Sequence, residues 1–269
     1  MRTTPFGVLI ESLQIDKLRK RWVARCLFLL VYFINAAVLF FEPGDSDFSA
    51  YNAWVEKLQS LNPEMTALPP MPLNLMANLL YIFSIIALLF FNMLISYVYT
   101  RILIGDYAGQ SVGSSLKSYL RRFPYFLVFI LVLWIIILFL SSVMNRSQAT
   151  QWLFIYAIIL VITYFFFVPS YLVFEKKGFI EAFTQNASRT RGLKPFIFIS
   201  MLSLHVLYSV PKFLLIMFLW EYREASAILD AFLISFLCLS FARMSAVIYR
   251  MVNMQIEKNE SSQNSIENP

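Results

Sequence analysis

Charge is scarce in this chain. Asp, Glu, Lys and Arg make up 14% of its 269 residues, where soluble domains carry roughly 25%. So few charges cannot dress a water-soluble globule of this size. Histidine occurs once, at His205, which excludes an H-E-x-x-H metalloprotease or a multi-histidine metal centre. The two cysteines, Cys26 and Cys238, both fall in apolar stretches without a partner at metal-ligand spacing. They read as small buried apolar residues. Glycine is sparse too, and no P-loop, GxGxxG or Gly-x-Ser-x-Gly elbow occurs. Leu103-Ile104-Gly105-Asp106 lacks the first glycine of the G-x-G-D motif of aspartyl intramembrane proteases. The expectation is no enzyme, no cofactor and no metal.

What fills the chain is apolar. Hydrophobic residues reach 59% and the mean hydropathy is +0.67, the composition of a polytopic membrane protein. Its net charge of +6 needs no nucleic-acid partner, because membrane proteins collect Lys and Arg in cytoplasmic loops. No basic stripe interleaved with exposed aromatics lies outside the apolar spans. The first apolar span runs from Trp22 to Phe41 with no small-x-small site after it, so it reads as a membrane helix rather than a cleavable signal.

Six spans are long enough to cross a bilayer: about 22–41, 73–99, 123–144, 152–174, 195–220 and 226–249. Segments 1–21, 100–122, 175–194 and 250–269 hold 16 of the 22 Lys and Arg, whereas the three opposing loops hold Lys57, Arg146 and Arg223. Positive residues stay inside, which predicts both termini in the cytoplasm of a bacterial inner membrane. The expected fold is an all-α membrane bundle of six helices in three hairpins, spanning 1–256. A polar tail from residue 257 to 269 is expected to be disordered.

Amphipathic segments precede the hairpins. Thr4-Pro5 marks a helix start, and Phe6, Leu9, Ile10 and Leu13 then form one stripe. Val112, Leu116, Tyr119 and Leu120 repeat that pattern before Pro124, and Phe179, Ile180, Phe183 and Ala187 repeat it before Pro195. Each segment reads as a helix lying in the cytoplasmic interface with its apolar face down. The even-numbered spans end alike, from Ser96 to Arg101, Ser170 to Glu175 and Ser245 to Arg250, which suggests a weak threefold repeat. The long outer loop is acidic. Phe48, Tyr51, Val55 and Leu58 mark a short helix in it, resting on the surface or closing over a cavity, before a run from Pro63 to Pro72.

Ionisable residues inside the spans are the candidate binding residues, since each costs about 2.5–3.5 kcal/mol at a helix centre. Lys212 and Asp230 lie at similar depth on the last two spans, either as a structural pair or as a substrate or ion site. Arg243 is placed to snorkel, or to meet a lipid phosphate or Glu175. His205 reads as a packed histidine, with a proton relay as the other option. Asn35, Asn78 and Asn92 should hydrogen-bond between helices. Ala227, Ala231, Ser235, Cys238, Ala242 and Ala246 give the last span a small face that lets a neighbour approach closely, so this span should be central.

An apolar span ending at Val168-Pro169 is followed by Glu175, Gly178, Glu181-Ala182, Ser188 and Gly192. This pattern resembles the YciC-like bacterial six-span membrane proteins. It is also similar to the membrane domain attached to some glycerophosphodiester phosphodiesterases. The resemblance spans about 30 residues, and the hairpin layout extends it along the chain. It implies an integral membrane protein without the fused catalytic domain's activity. The function expected is membrane-embedded binding or accessory work for lipids or a partner membrane protein. The alternative is a transporter, or the permease subunit of an ABC exporter with an ATPase partner.

Overall fold

The computed structural model describes residues 4–59, 72–144, 157–158, 160–163, 165, 167–173, 175–219 and 221–267. Every regular element among them is helical. Two short helices flank the first long one: α1 (Pro5–Ser12), α2 (Arg21–Phe41) and α3 (Ser49–Gln59). Then come α4 (Leu75–Tyr107), α5 (Val112–Met144), α6 (Val168–Val173), α7 (Phe179–Arg189), α8 (Lys194–Leu219) and α9 (Arg223–Glu267). Helices α2, α4, α5, α8 and α9 are each long and apolar enough to cross a membrane. A shorter apolar helix, Leu160–Leu172, ends in α6. Much of the fourth expected span, and the run from Pro63 to Met71, lie outside the described residues.

Helix α9 is the centre of the bundle. It packs against α2, α4, α8 and α1, and its two faces belong to two different apolar cores. Leu239, Ala242 and Ala246 meet Val31 of α2 and Tyr99 and Leu103 of α4. Met244, Val247, Ile248 and Val252 meet Phe126 and Ile130 of α5, Phe167, Tyr171, and Ile197 of α8. The small residues expected to face a neighbour do so: Ala231, Ser235, Ala242 and Ala246 are fully buried. They bring α4 so close that Ser96 Oγ donates to the Cys238 carbonyl at 3.2 Å and Thr100 Oγ1 to the Ala242 carbonyl at 3.1 Å. The members of each expected hairpin, α2 with α4, α5 with α6, and α8 with α9, are in contact.

Several boundaries differ from the sequence reading. Helix α4 runs to Tyr107, past the expected end at 99; Gly105 is accommodated within it, and the stop comes at Gly109. There φ of +69° supplies the left-handed stop that glycine tolerates. The amphipathic segment 112–120 is not a separate helix but the first turns of α5. No glycine or cap separates it from the span, and Pro124 inside the helix forfeits one ladder bond without ending it. At the other end α9 is helical to Glu267, where the composition led to the expectation of disorder from 257. Good helix formers such as Glu257 and Lys258 can extend a helix already nucleated in the bundle.

The short helices expected at the interface dock on protein more than the sequence suggests. In α1, Thr4 Oγ1 caps the Gly7 N–H at 3.1 Å and Pro5 opens the helix, as expected. Its buried face, however, is Val8, Leu9 and Ser12, set against α8 and α9, while Phe6 and Ile10 remain exposed. In α7 the buried residues are Ala182 and Asn186, with Phe179 and Phe183 at their flank. Ile180 is 82% exposed and Ala187 is exposed as well. The small Ala182 allows close approach, and the amide of Asn186 is drawn inward because its Oδ1 accepts from the Phe167 N–H at 3.1 Å.

Candidate functional site

Helices α8 and α9 are joined by a tight turn, so residues equally distant from it fall side by side. This brings Lys212 to Asp230, with Nζ 2.9 Å from Oδ2. Their side chains are 37% and 20% exposed, so water reaches the pair but does not surround it. Tyr208, one turn before Lys212, borders both: its hydroxyl is 3.4 Å from Asp230 Oδ1, and the ammonium stands 5.8 Å from its ring centroid. Beyond the pair, at the turn itself, Arg223 bonds Glu42 at the end of α2. Two opposite-sign pairs therefore stand at this end of the bundle.

Arg243 does not snorkel. It is 2% exposed, and its guanidinium donates from Nε to the Glu11 carbonyl at 2.8 Å and from Nη1 to the Lys17 carbonyl at 2.9 Å. Glu175, one of its expected partners, is bonded elsewhere. The Tyr99 hydroxyl donates to the Ile15 carbonyl, and Asp106 Oδ2 accepts from the Arg19 N–H at 3.0 Å. Side chains of α4 and α9 thus hold the backbone of residues 11–19 at four points. The segment between α1 and α2 is a strap tied across the ends of two long helices. The sequence showed a lone arginine in the span but no signal that its partners would be main-chain carbonyls.

Glu175 has a different set of neighbours. Its Oε1 accepts from Arg189 Nη1 at 2.7 Å and from the Tyr249 hydroxyl at 2.9 Å, and the Arg189 guanidinium lies over the Tyr171 ring. This cluster joins α6, α7 and α9, and the sequence reading missed it. A usable signal was present: Arg189 closes α7, one helix length after the acidic residue that precedes it. The serines of the proposed repeat, Ser96, Ser170 and Ser245, are all buried. Just before α7, Lys177 bonds Glu181 in its first turn at 2.7 Å and holds that exposed carboxyl below its ordinary pKa.

Two of the three amides bond between helices as expected. Asn35 and Asn92 exchange hydrogen bonds at 3.0 and 2.9 Å across α2 and α4. Asn35 Nδ2 also reaches Ser235 Oγ at 3.1 Å on α9, and Cys238 Sγ contacts the Asn92 carbonyl at 3.1 Å. Asn78 instead donates to the carbonyls of Asp45 and Asp47, fastening the loop between α2 and α3 to α4. His205 is half-buried on α8, and its imidazole finds no hydrogen-bonding partner among the described residues. It stands apart from the Lys212–Asp230 pair in any bonded sense. Among the described residues, no group of three His, Cys, Asp or Glu could hold a metal ion.

These arrangements can bind charge and fix helices. Compared with protein-family models, with curated proteins and with solved structures, the chain finds no match.

Proposed function

We propose that this is a non-enzymatic integral membrane protein that binds lipids or a partner membrane protein from within the bilayer. The reading includes six spans, a bacterial inner membrane and both termini in the cytoplasm. It also includes the YciC-like resemblance, which rests on the pattern from Val168 to Gly192 and on the hairpin layout. The observation that carries the function is where the polar groups inside the bundle point. Asn35, Asn92, Ser235 and Cys238 bond one another across α2, α4 and α9, and Lys212 bonds Asp230. The groups of the seam between α2, α4 and α9 are spent on one another rather than lining a water-filled route, which transport would need. Such a bundle presents its chemistry at its ends and its lipid-facing surface.

The rival reading, a transporter or an ABC permease subunit, draws support from one feature. Helix α5 continues inward from its span through residues 112–120, and α9 runs on to Glu267. Rods of this kind could couple to an ATPase. Extraction in native-lipid copolymer discs followed by native mass spectrometry separates the two. The binding reading expects the chain to carry lipid or an integral-membrane partner at a fixed ratio. Retention of an ATPase subunit, or a chain that carries nothing, contradicts it.

A further inference from the structure

At the end of the bundle away from the strap, α2, α8 and α9 enclose an open pocket of about 370 Å³. Leu39 and Leu219 give it apolar walls, Glu42 and Asp230 bring carboxylates, and Arg223 and Ser226 stand between them. We propose that this pocket binds the headgroup of a zwitterionic phospholipid with a primary ammonium. The ammonium would sit at Glu42 and Asp230, the phosphate at Arg223 and Ser226, and the acyl chains would lie beside Leu39 and Leu219. The proposal rests on the reading of the protein as lipid-binding and gives that reading a place and a headgroup chemistry.

Charge balance selects the class. Each carboxylate already has a cation, Lys212 for Asp230 at 2.9 Å and Arg223 for Glu42, so the site as a whole is neutral. A headgroup with one positive and one negative group can enter by exchanging partners and leaves no charge unmatched in a low-dielectric setting. An anionic glycerol-phosphate headgroup would bring a phosphate to two carboxylates with no cation of its own. The nature of the cation follows from what lines the pocket. A primary ammonium donates three N–H bonds, which suits carboxylate acceptors. A trimethylammonium group favours an aromatic cage, and no aromatic ring lines this pocket among the described residues. The outermost pair is well exposed, with Arg223 68% and Glu42 43% accessible, so a headgroup can reach it without unfolding anything.

The test is thermal unfolding of the full-length, delipidated protein in detergent. Phosphatidylethanolamine, phosphatidylcholine and phosphatidylglycerol with the same acyl chains are added in turn, and soluble phosphoethanolamine serves as a fourth arm. Phosphatidylethanolamine is expected to raise Tm by roughly 2–4 °C more than the other two lipids, with a smaller effect from phosphoethanolamine. Glu42→Gln and Ser226→Trp should each remove that increment while Tm without lipid stays near the parent value. Equal shifts from all three lipids would remove this site but leave general lipid binding standing. An increment that survives both variants would overturn the site as well. A full shift from phosphoethanolamine would mean a water-soluble ligand rather than a lipid. No shift from any lipid would sink the lipid-binding reading together with the site.

Discussion

Arg243 shows how a buried cation can be used up by main chain. Its guanidinium has a rigid fork of donors and cannot shed its charge, so it must be met by acceptors wherever it is buried. Two carbonyls of the strap meet it, and hydrogen bonds to charged groups contribute about 1.5–3 kcal/mol each. Arg243→Ala should therefore loosen residues 11–19 without unfolding the bundle. Limited proteolysis should cut the variant within the strap at least about tenfold faster, the factor given by roughly 1.4 kcal/mol. Equal cutting of variant and parent would show that the strap is held by apolar contacts alone.

Lys212 and Asp230 pose the complementary case, a pair half in water. Removing one partner leaves the other uncompensated at a cost between the exposed and buried limits, about 1–3 kcal/mol. Lys212→Ala and Asp230→Ala should each lower the yield of monodisperse protein from gel filtration. The double variant should recover much of the loss. If the double is as damaged as the two singles combined, the pair does not act as a unit.

At the scale of single elements, close approach decides which helices are continuous and where they stop. A Cβ on Gly105 would lie 2.1 Å from Ser115 Oγ and 3.2 Å from its Cβ, so α4 and the start of α5 meet only because this residue is glycine. Gly105→Ala should cost about 1–3 kcal/mol through overpacking. Adding Ser115→Ala removes the nearer atom, so the pair of changes should restore most of the thermal stability. A double variant no more stable than Gly105→Ala would place the strain elsewhere. For α7, Asn186→Leu leaves the Phe167 N–H without its acceptor. The helix should then dock less firmly on α6, with faster amide exchange across 179–189. Unchanged exchange would mean that Ala182 and the phenylalanines suffice.

Sequence patterns located these elements well but oriented them poorly. The apolar stripes of α1 and α7 were visible as periodicities. Periodicity alone does not distinguish a stripe facing lipid from one facing another helix, because hydrocarbon and protein interiors are equally apolar. The decisive residues were therefore the small and polar ones beside each stripe: Ser12, Ala182 and Asn186. The break expected between 112–120 and the third span rested on Pro124, yet a proline kinks a helix held by its neighbours without ending it.

For the molecule as a whole, charge and small-residue patterns carried most of the legible information. The small face of α9 gave its central position, since only small side chains allow Ser96 and Thr100 to reach its carbonyls. The pairing of Lys212 with Asp230 was legible as two charges equidistant from a turn. Long-range partners that are backbone atoms, such as the carbonyls of Glu11 and Lys17, leave no trace in side-chain chemistry. Glu175 is the intermediate case: Arg189, which closes α7, was legible as a partner, but Tyr249 comes from the distant α9 with no local pattern to announce it.

The central claim is that the polar seam joining α2, α4 and α9 is closed to water, and Cys238 is a built-in reporter of it. Its thiol faces the Asn92 carbonyl at 3.1 Å within that seam, whereas Cys26 is exposed on α2. In a Cys26→Ala background, membrane-impermeant maleimide applied to both sides of the membrane should leave Cys238 unlabelled. It should label Cys238 fully after unfolding in dodecyl sulfate, and a Ser226→Cys control should label in the folded protein. Labelling of Cys238 in the intact membrane would reveal an aqueous path through the bundle and contradict the account in favour of transport.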